Sequence, residues 1–252
     1  MFTLTIGILL LSVICTNAAQ RKPAKEYLHI CSDPKPEVLD ECIKNSLEEL
    51  KPLLIKGAPE LGLPSIRPLQ IERIEMHEGQ GNFKLKQILT NLKVYGLSDY
   101  EVKEIRSNFK ELTFNTTLFT KKADFIGNYE MDGQVLVLPV KGNGKVNHNF
   151  TDVTIKFITN LEKYQKNGED YVRVKKVKMS INPKGAVVHF TNLFNGDKTL
   201  GDATNKFLNS NWKEAFETFR HLPENAFGEF IKSLSNRFFE NFPMKELFPF
   251  GL

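Results

Sequence analysis

The chain is poor in reactive residues. Its 252 residues hold one tryptophan, three cysteines and five histidines. His29, His77, His148, His189 and His221 are scattered, with no partner at metal-ligand spacing. No G-x-S-x-G elbow, H-E-x-x-H, Walker sequence or G-x-G-x-x-G occurs. These absences remove the motif-bearing hydrolases, zinc peptidases, P-loop NTPases and dinucleotide-binding enzymes. Gly142 and Gly144 make only a G-x-G between two strand-like runs, which reads as a hairpin turn. His77 with Glu75 and Glu78 is better explained as an exposed strand end. Asp124 and Asp132 flank Tyr129 without a second carboxylate fixed by spacing. The chain is read as a non-enzyme, with no catalytic residue, metal or cofactor.

Long apolar runs are also scarce. Phe2 to Ile14 is almost wholly apolar, and Thr16-Asn17-Ala18-Ala19 supplies small residues for cleavage. Residues 1–19 are therefore read as a secretory signal peptide, too short for a membrane span. No later stretch suits a bilayer, so no stable membrane insertion is expected. Residues 20–252 carry no Pro/Ser/Gly-rich linker and are read as one domain. The net charge is only +4. The one dense basic run is Arg173, Lys175, Lys176 and Lys178, and regular strand alternation splits it between two faces. Nucleic-acid binding is not expected. Contact with an acidic partner or membrane surface is the minor reading of that run.

Export accounts for the cysteines. Cys15 falls in the signal, leaving Cys31 and Cys42, which pair most simply with each other in an oxidising compartment. Asn115-Thr116-Thr117 and Asn149-Phe150-Thr151 are glycosylation sequons, and each requires an exposed asparagine. A secreted, extracellular glycoprotein is expected.

Leu39, Ile43, Leu47, Leu50 and Leu54 recur at helical spacing. Pro52 should loosen the last turn, and Gly57 can stop the helix. Spacing leaves open whether this helix is a lid or an ordinary packing helix. Strand-like alternation then dominates from Ile71 to Phe190. A bulge is expected near Ile88-Leu89, a short helical turn between Leu97 and Ile105, and a second hairpin turn at Asn167-Gly168. Long consecutive antiparallel strands curl strongly and need something to wrap around. Two C-terminal helices are the candidates. Leu200, Thr204, Phe207, Leu208, Trp212, Ala215, Phe216 and Phe219 form a wide stripe on the first, about 30 Å long. Phe227, Phe230, Ile231, Leu234, Phe238 and Phe242 form a narrower stripe on the second. The twenty phenylalanines imply a large apolar interior, filled by protein or by a ligand.

Several segments, in order, resemble the insect takeout and juvenile-hormone-binding protein family. They are Cys31 and Cys42 before the first helix, Gly62-Leu63-Pro64-Ser65-Ile66 with Pro68-Leu69, and Asn91-Leu92-Lys93-Val94-Tyr95-Gly96-Leu97. Gly127-Asn128-Tyr129 and Leu138-Pro139-Val140-Lys141-Gly142-Asn143-Gly144 follow. Asn192-Leu193-Phe194-Asn195-Gly196, Phe207-Leu208-Asn209-Ser210-Asn211-Trp212 and Leu247-Phe248-Pro249 complete the set.

The resemblance implies an α+β fold: a highly curved antiparallel β-sheet wrapped around a long C-terminal helix, of the tubular lipid-binding type. It implies secreted carriage of a small elongated hydrophobic ligand, such as juvenile hormone, another terpenoid or a fatty-acid-like lipid, in an internal apolar tunnel. Hormone carriers of the family have a second disulfide, which this chain does not offer, so it is closer to the takeout branch and its circadian or feeding-related settings. Candidate wall residues are Phe83, Phe114, Phe125, Phe190, Phe194, Phe207, Leu208, Trp212 and Phe216, with Tyr129 as a candidate polar contact. Leu200 to Phe219 is taken as the helix at the centre of the roll, with ligand entry near the N-terminal helix. A monomer is expected. The alternative is a secreted interaction or signalling protein with a vestigial cavity, acting through its surface on a receptor or odour-handling partner.

Overall fold

The computed structural model describes residues 22–78, 83–135 and 138–251. The expected signal peptide, residues 1–19, lies outside the described residues. Seven strands form one antiparallel sheet: β1 (Leu69–Glu78), β2 (Phe83–Tyr95), β3 (Glu101–Asn108), β4 (Thr113–Val135), β5 (Leu138–Lys166), β6 (Glu169–Asn182) and β7 (Gly185–Phe190). Among the described residues six α-helices accompany it: α1 (Pro36–Glu49), α2 (Lys51–Lys56), α3 (Lys198–Ser210), α4 (Trp212–Phe219), α5 (His221–Phe239) and α6 (Met244–Leu247).

The spine is the β4–β5 ribbon, of 23 and 29 residues. Its register runs from Thr113↔Asn160 to Val135↔Leu138. Each long strand shares its outer edge between two short partners. β3 pairs with the first part of β4 and β2 with the rest. β7 pairs with β5 at residues 146–151, and β6 pairs with β5 at 154–166. Strands of this length coil rather than lie flat. The two ends of the sheet path, β1 and β6, both come to lie on α5, which closes the roll.

The helix inside the roll is therefore α5, not the expected Leu200 to Phe219 segment. That segment breaks at Asn211 (φ −120°, ψ 29°) into α3 and α4, and no residue of α4 is buried. The wide apolar stripe suggested enclosure, but close approach is set by small residues. A Cβ on Gly228 of α5 would sit 3.4 Å from the Val177 carbonyl oxygen and 3.8 Å from Met179 Cβ. The α5 backbone therefore runs one methyl group's distance from β6, and Leu222 and Gly228 are its buried residues.

Three outer strand edges are covered by helices whose side chains stand in for a further strand. On β7, Asn205 Oδ1 accepts from Phe190 N–H (2.9 Å) and its Nδ2 donates to the Phe190 carbonyl (2.8 Å). Asn209 does the same for Val188, at 2.9 and 2.7 Å. The spacing explains the fit. Four residues of helix rise about 6 Å, and two residues of strand rise about 6.8 Å, so helix positions i and i+4 meet strand positions j and j−2. On β6, Asn236 brackets Val174, and Glu224 accepts from Ile181 N–H. On β3, Asp40 and Glu48 of α1 accept from Ser107 and Val102 N–H. Covered edges cannot recruit foreign strands. Of the two readings open for the N-terminal helix, α1 is a packing helix on β3. It is tied back by the Cys31–Cys42 disulfide, with S–S 2.10 Å.

Other expectations need correction. Gly142-Asn143-Gly144 is not a turn; it lies inside β5. A Cβ on Gly144 would stand 2.5 Å from the Thr191 carbonyl oxygen, and one on Gly142 would stand 2.7 Å from Tyr129 Oη. The glycines mark where the 191–193 segment crosses the strand, a recognised reason for glycine in a strand interior. Asn167-Gly168 is the expected turn, with both φ positive. The β2 irregularity falls between Thr90 and Lys93, with Asn91 at φ 50°. The helical turn ends at Asp99, and Glu101–Asn108 is strand β3. A register shift opposite Asn160/Leu161 leaves Lys175 without a pair. Arg173, Lys175, Lys176 and Lys178 are consequently all exposed, between buried Val174 and Val177. The bulge joins the two halves of the basic run instead of splitting them.

Candidate ligand-binding interior

The concave face of the sheet follows from register. On β4 it presents Phe125, Gly127, Tyr129 and Met131. Val146, His148 and Phe150 oppose them on β5, and Ala186, Val188 and Phe190 on β7. Leu69, Ile71, Ile74 and Met76 continue it on β1. Tyr129, Met131 and Val146 join these four β1 residues and Leu89, Leu92, Val94 and Leu193 in the main apolar cluster, onto which Phe125, Phe190, Phe194, Phe219, Phe227 and Phe230 pack.

Aromatic rings bridge sheet and helices edge-to-face, the favoured geometry for such pairs. Phe125 of β4 lies 5.6 Å from Phe150 and 5.7 Å from Phe227 of α5. Phe150 lies 6.0 Å from Phe216 of α4. Phe190 lies 5.1 Å from Tyr129 and 4.7 Å from His148. Phe125, Tyr129, Phe190, Phe194 and Phe216 therefore gather on one apolar face. Leu208 and Trp212 are half-buried on α3 and α4.

The remaining candidates fall elsewhere. The Phe83 side chain lies outside the described residues. Phe114 belongs to a second group at the far end of the roll, 5.2 Å from Phe109 and 6.5 Å from Phe248. Phe207 points outward and is 63% exposed. Asn205 and Asn209 dock on β7 and fix the rotation of α3, and Phe207 stands on the opposite side of that helix. Tyr129 is 3% exposed, and its hydroxyl donates to the Thr191 carbonyl at 2.7 Å. Burial pushes that phenol up to about 12. Its proton is committed to the protein, pinning the 191–193 segment over Gly142.

Two openings flank this framework. One, of about 530 Å³, lies along α1 and is bordered by His29, Glu41, Asn45, Glu48 and Glu49. Val38 and Cys42 give it a small apolar floor, but neither belongs to the interior apolar clusters, and three glutamates ring it. The other, of about 460 Å³, lies in the seam between β1 and α5. Ile74, Met76, Leu222, Ala226 and Phe230 form its floor, and all five belong to or pack on the main apolar cluster. Arg73, Glu75, His77, Asn225 and Glu229 rim it. Arg73 and His77 both bond Glu75, at 2.7 and 3.1 Å, which holds the Glu75 carboxyl below its ordinary range.

Sequence reasoning missed Phe150, Phe227 and His148 on the concave face and the capping residues Asn205, Asn209 and Asn236. Phe150 could have been found by extending the β5 alternation through Val146 and His148. Asparagines at i and i+4 inside a helix were the available signal for the caps, because asparagine is a poor helix former without a second task.

A curled antiparallel sheet closed on a C-terminal helix, with an aromatic concave face, defines a rolled-sheet binding fold. The chain belongs to the haemolymph juvenile hormone binding protein family, whose model matches residues 9–249. It is similar to the circadian clock-controlled protein daywake of Drosophila yakuba, 24% identical over 201 residues, covering 77% of each chain. The Drosophila melanogaster daywake is 25% identical over 200 residues, covering 76% of this chain and 77% of its own. The crystal structure of Epiphyas postvittana Takeout 1 superposes with a TM-score of 0.68 at 25% identity, covering 82% of this chain and 95% of that one. Among the described residues, no group of three or more His, Cys, Asp or Glu is placed to hold a metal ion, and no helix is long and apolar enough to cross a membrane.

Proposed function

We propose that this protein is a secreted, monomeric carrier of a small elongated hydrophobic ligand, held against the concave aromatic face and admitted through the β1–α5 seam. Family membership supports carriage over catalysis. The single observation that carries the reading is the seam groove, whose apolar floor is continuous with the interior. Its 460 Å³ falls in the range of small-molecule sites. We favour entry through the seam over the expected entry beside α1, because only the seam floor belongs to the interior apolar cluster. Each methylene buried adds about 0.8 kcal/mol, so a terpenoid or lipid chain of about a dozen carbons reaches micromolar affinity or better after the cost of association. Solvent extraction of natively secreted protein followed by mass spectrometry should recover an apolar compound, and terpenoid or fatty-acid titration should quench Trp212. Ala226→Phe, which fills the seam without adding a second indole, should abolish that quench. An empty extract together with no quench by any probe would refute carriage.

A second reading is supported by the basic stripe on β6. Arg173, Lys175, Lys176 and Lys178 on one exposed face suit an acidic receptor or odour-handling partner. A stable complex that is lost on reversing these charges, with Trp212 unresponsive to ligands, would favour this surface role.

A further inference from the structure

His148 lies in the middle of β5, directly opposite Phe125 on β4 and Val188 on β7, so the three side chains share the concave face. Its ring meets Phe190 edge-on at 4.7 Å. Its Nδ1 is the one buried side-chain nitrogen or oxygen among the described residues that has no hydrogen-bond partner. The contrast with its surroundings is sharp. Tyr129 Oη, Asn205 and Asn209, the other polar groups of this region, are all engaged with backbone. Buried polar atoms are nearly always paired, and an orphan calls for an explanation. A leucine or phenylalanine would fill the same place without an unpaired nitrogen.

The state of the ring limits what can pair with it. Burial pushes the imidazole down to about 4; the Asn147 carbonyl works against that shift and His189 adds to it. At neutral pH the ring is uncharged and offers one N–H and one lone pair. A buried carboxylate beside it would be an unpaired charge, which is costly. A hydroxyl, carbonyl or ether oxygen meets the ring without a charge.

We infer that His148 is the polar anchor of the interior site, and that the ligand is an apolar molecule bearing an uncharged oxygen function where it crosses Phe125 and Phe190. The inference rests on the carrier reading above and adds to it a specificity residue and a ligand class.

Matched probes test it. Binding of 1-dodecanol, dodecane and dodecanoate is measured by equilibrium partition of labelled probe into wild-type protein, His148→Phe and His148→Gln. The alcohol-to-alkane affinity ratio should fall about tenfold in His148→Phe, the cost of leaving a buried hydroxyl unpaired. It should stay within about threefold of wild type in His148→Gln, which keeps a hydrogen-bonding group. Dodecanoate should bind wild type more weakly than the alcohol. The ligand-free His148→Phe protein should stay folded, because the only internal bond it loses is that to the Asn147 backbone. An unchanged alcohol-to-alkane ratio in His148→Phe overturns the inference while leaving carriage intact. Failure of wild type to bind either dodecanol or dodecane overturns the carrier reading, and the inference with it.

Discussion

The asparagine ladder between α3 and β7 can be tested bond by bond. Asn205 and Asn209 together make four hydrogen bonds to the backbone of Val188 and Phe190. Replacing both by alanine leaves two N–H and two carbonyl groups of β7 without partners. Each neutral hydrogen bond is worth about 1 kcal/mol net, and more where water cannot reach the orphaned group. Asn205 is 8% exposed and Asn209 is half-buried, so Asn205→Ala should cost about 2 kcal/mol, Asn209→Ala about 1, and the pair roughly 3. Asn205→Asp should be no better than alanine. It keeps the acceptor for Phe190 N–H but turns a carboxylate oxygen toward the Phe190 carbonyl. Urea denaturation gives the totals, and amide hydrogen exchange gives the location. Protection should collapse at Val188 and Phe190 and persist at Thr151 and Val153 of β5. Unchanged protection at those two β7 amides in the double variant would refute strand mimicry by α3.

Acid should unfold the protein partly through His148. The unfolded chain takes up this proton near pH 6.5, and the folded chain refuses it until about pH 4. The unfolded state therefore binds more protons in that window, and stability falls as pH is lowered through it, by roughly 3 kcal/mol in all. Denaturant titrations from pH 7 to 4 should show this slope in wild type and not in His148→Phe; parallel profiles would count against it. Gly142→Ala should cost about 1–3 kcal/mol by overpacking, because the new Cβ meets Tyr129 Oη at 2.7 Å and the Asn192 carbonyl oxygen at 2.9 Å. Differential scanning calorimetry reads the loss. The sequons should behave differently in secretory expression. Asn115 is exposed on β4, whereas Asn149 is half-buried and its Nδ2 donates to Asp124 at 2.8 Å. Asn115→Gln should remove a gel-mobility shift that Asn149→Gln leaves in place.

Alternation made the sheet legible, and the length of the strands made its curl legible. Regular spacing gave α1, its loosened end at Pro52 and its stop at Gly57. The signals that failed share one property: they depend on what crosses the chain from elsewhere. Gly142 and Gly144 look like turn residues until Thr191 is seen passing over them. The stripe from Leu200 to Phe219 is wider than that of α5, yet it is α5 that meets both ends of the sheet, β1 and β6. A single unpaired Lys175 moves Lys176 and Lys178 to the other face, and no local pattern marks a bulge of that kind. Of the interior, Phe125, Phe190, Phe194 and Phe216 were legible as phenylalanines in excess. His148 was not, because a lone histidine on a strand carries no sign of whether its nitrogen finds a partner.

The closure of β6 by α5 sets an order of assembly. The chain leaves the ribosome from its N-terminus, so β4, β5 and β6 are complete while α5 is still unmade. During that interval the backbone around Val174 and Ile181, later bracketed by Asn236 and Glu224, is an open template for strand addition. The concave phenylalanines are uncovered for the same time. A truncation before His221 should therefore yield a sheet that sticks to copies of itself, not a smaller soluble roll. Residues 221–239, by bonding the β6 edge, remove that template from the sheet made before them.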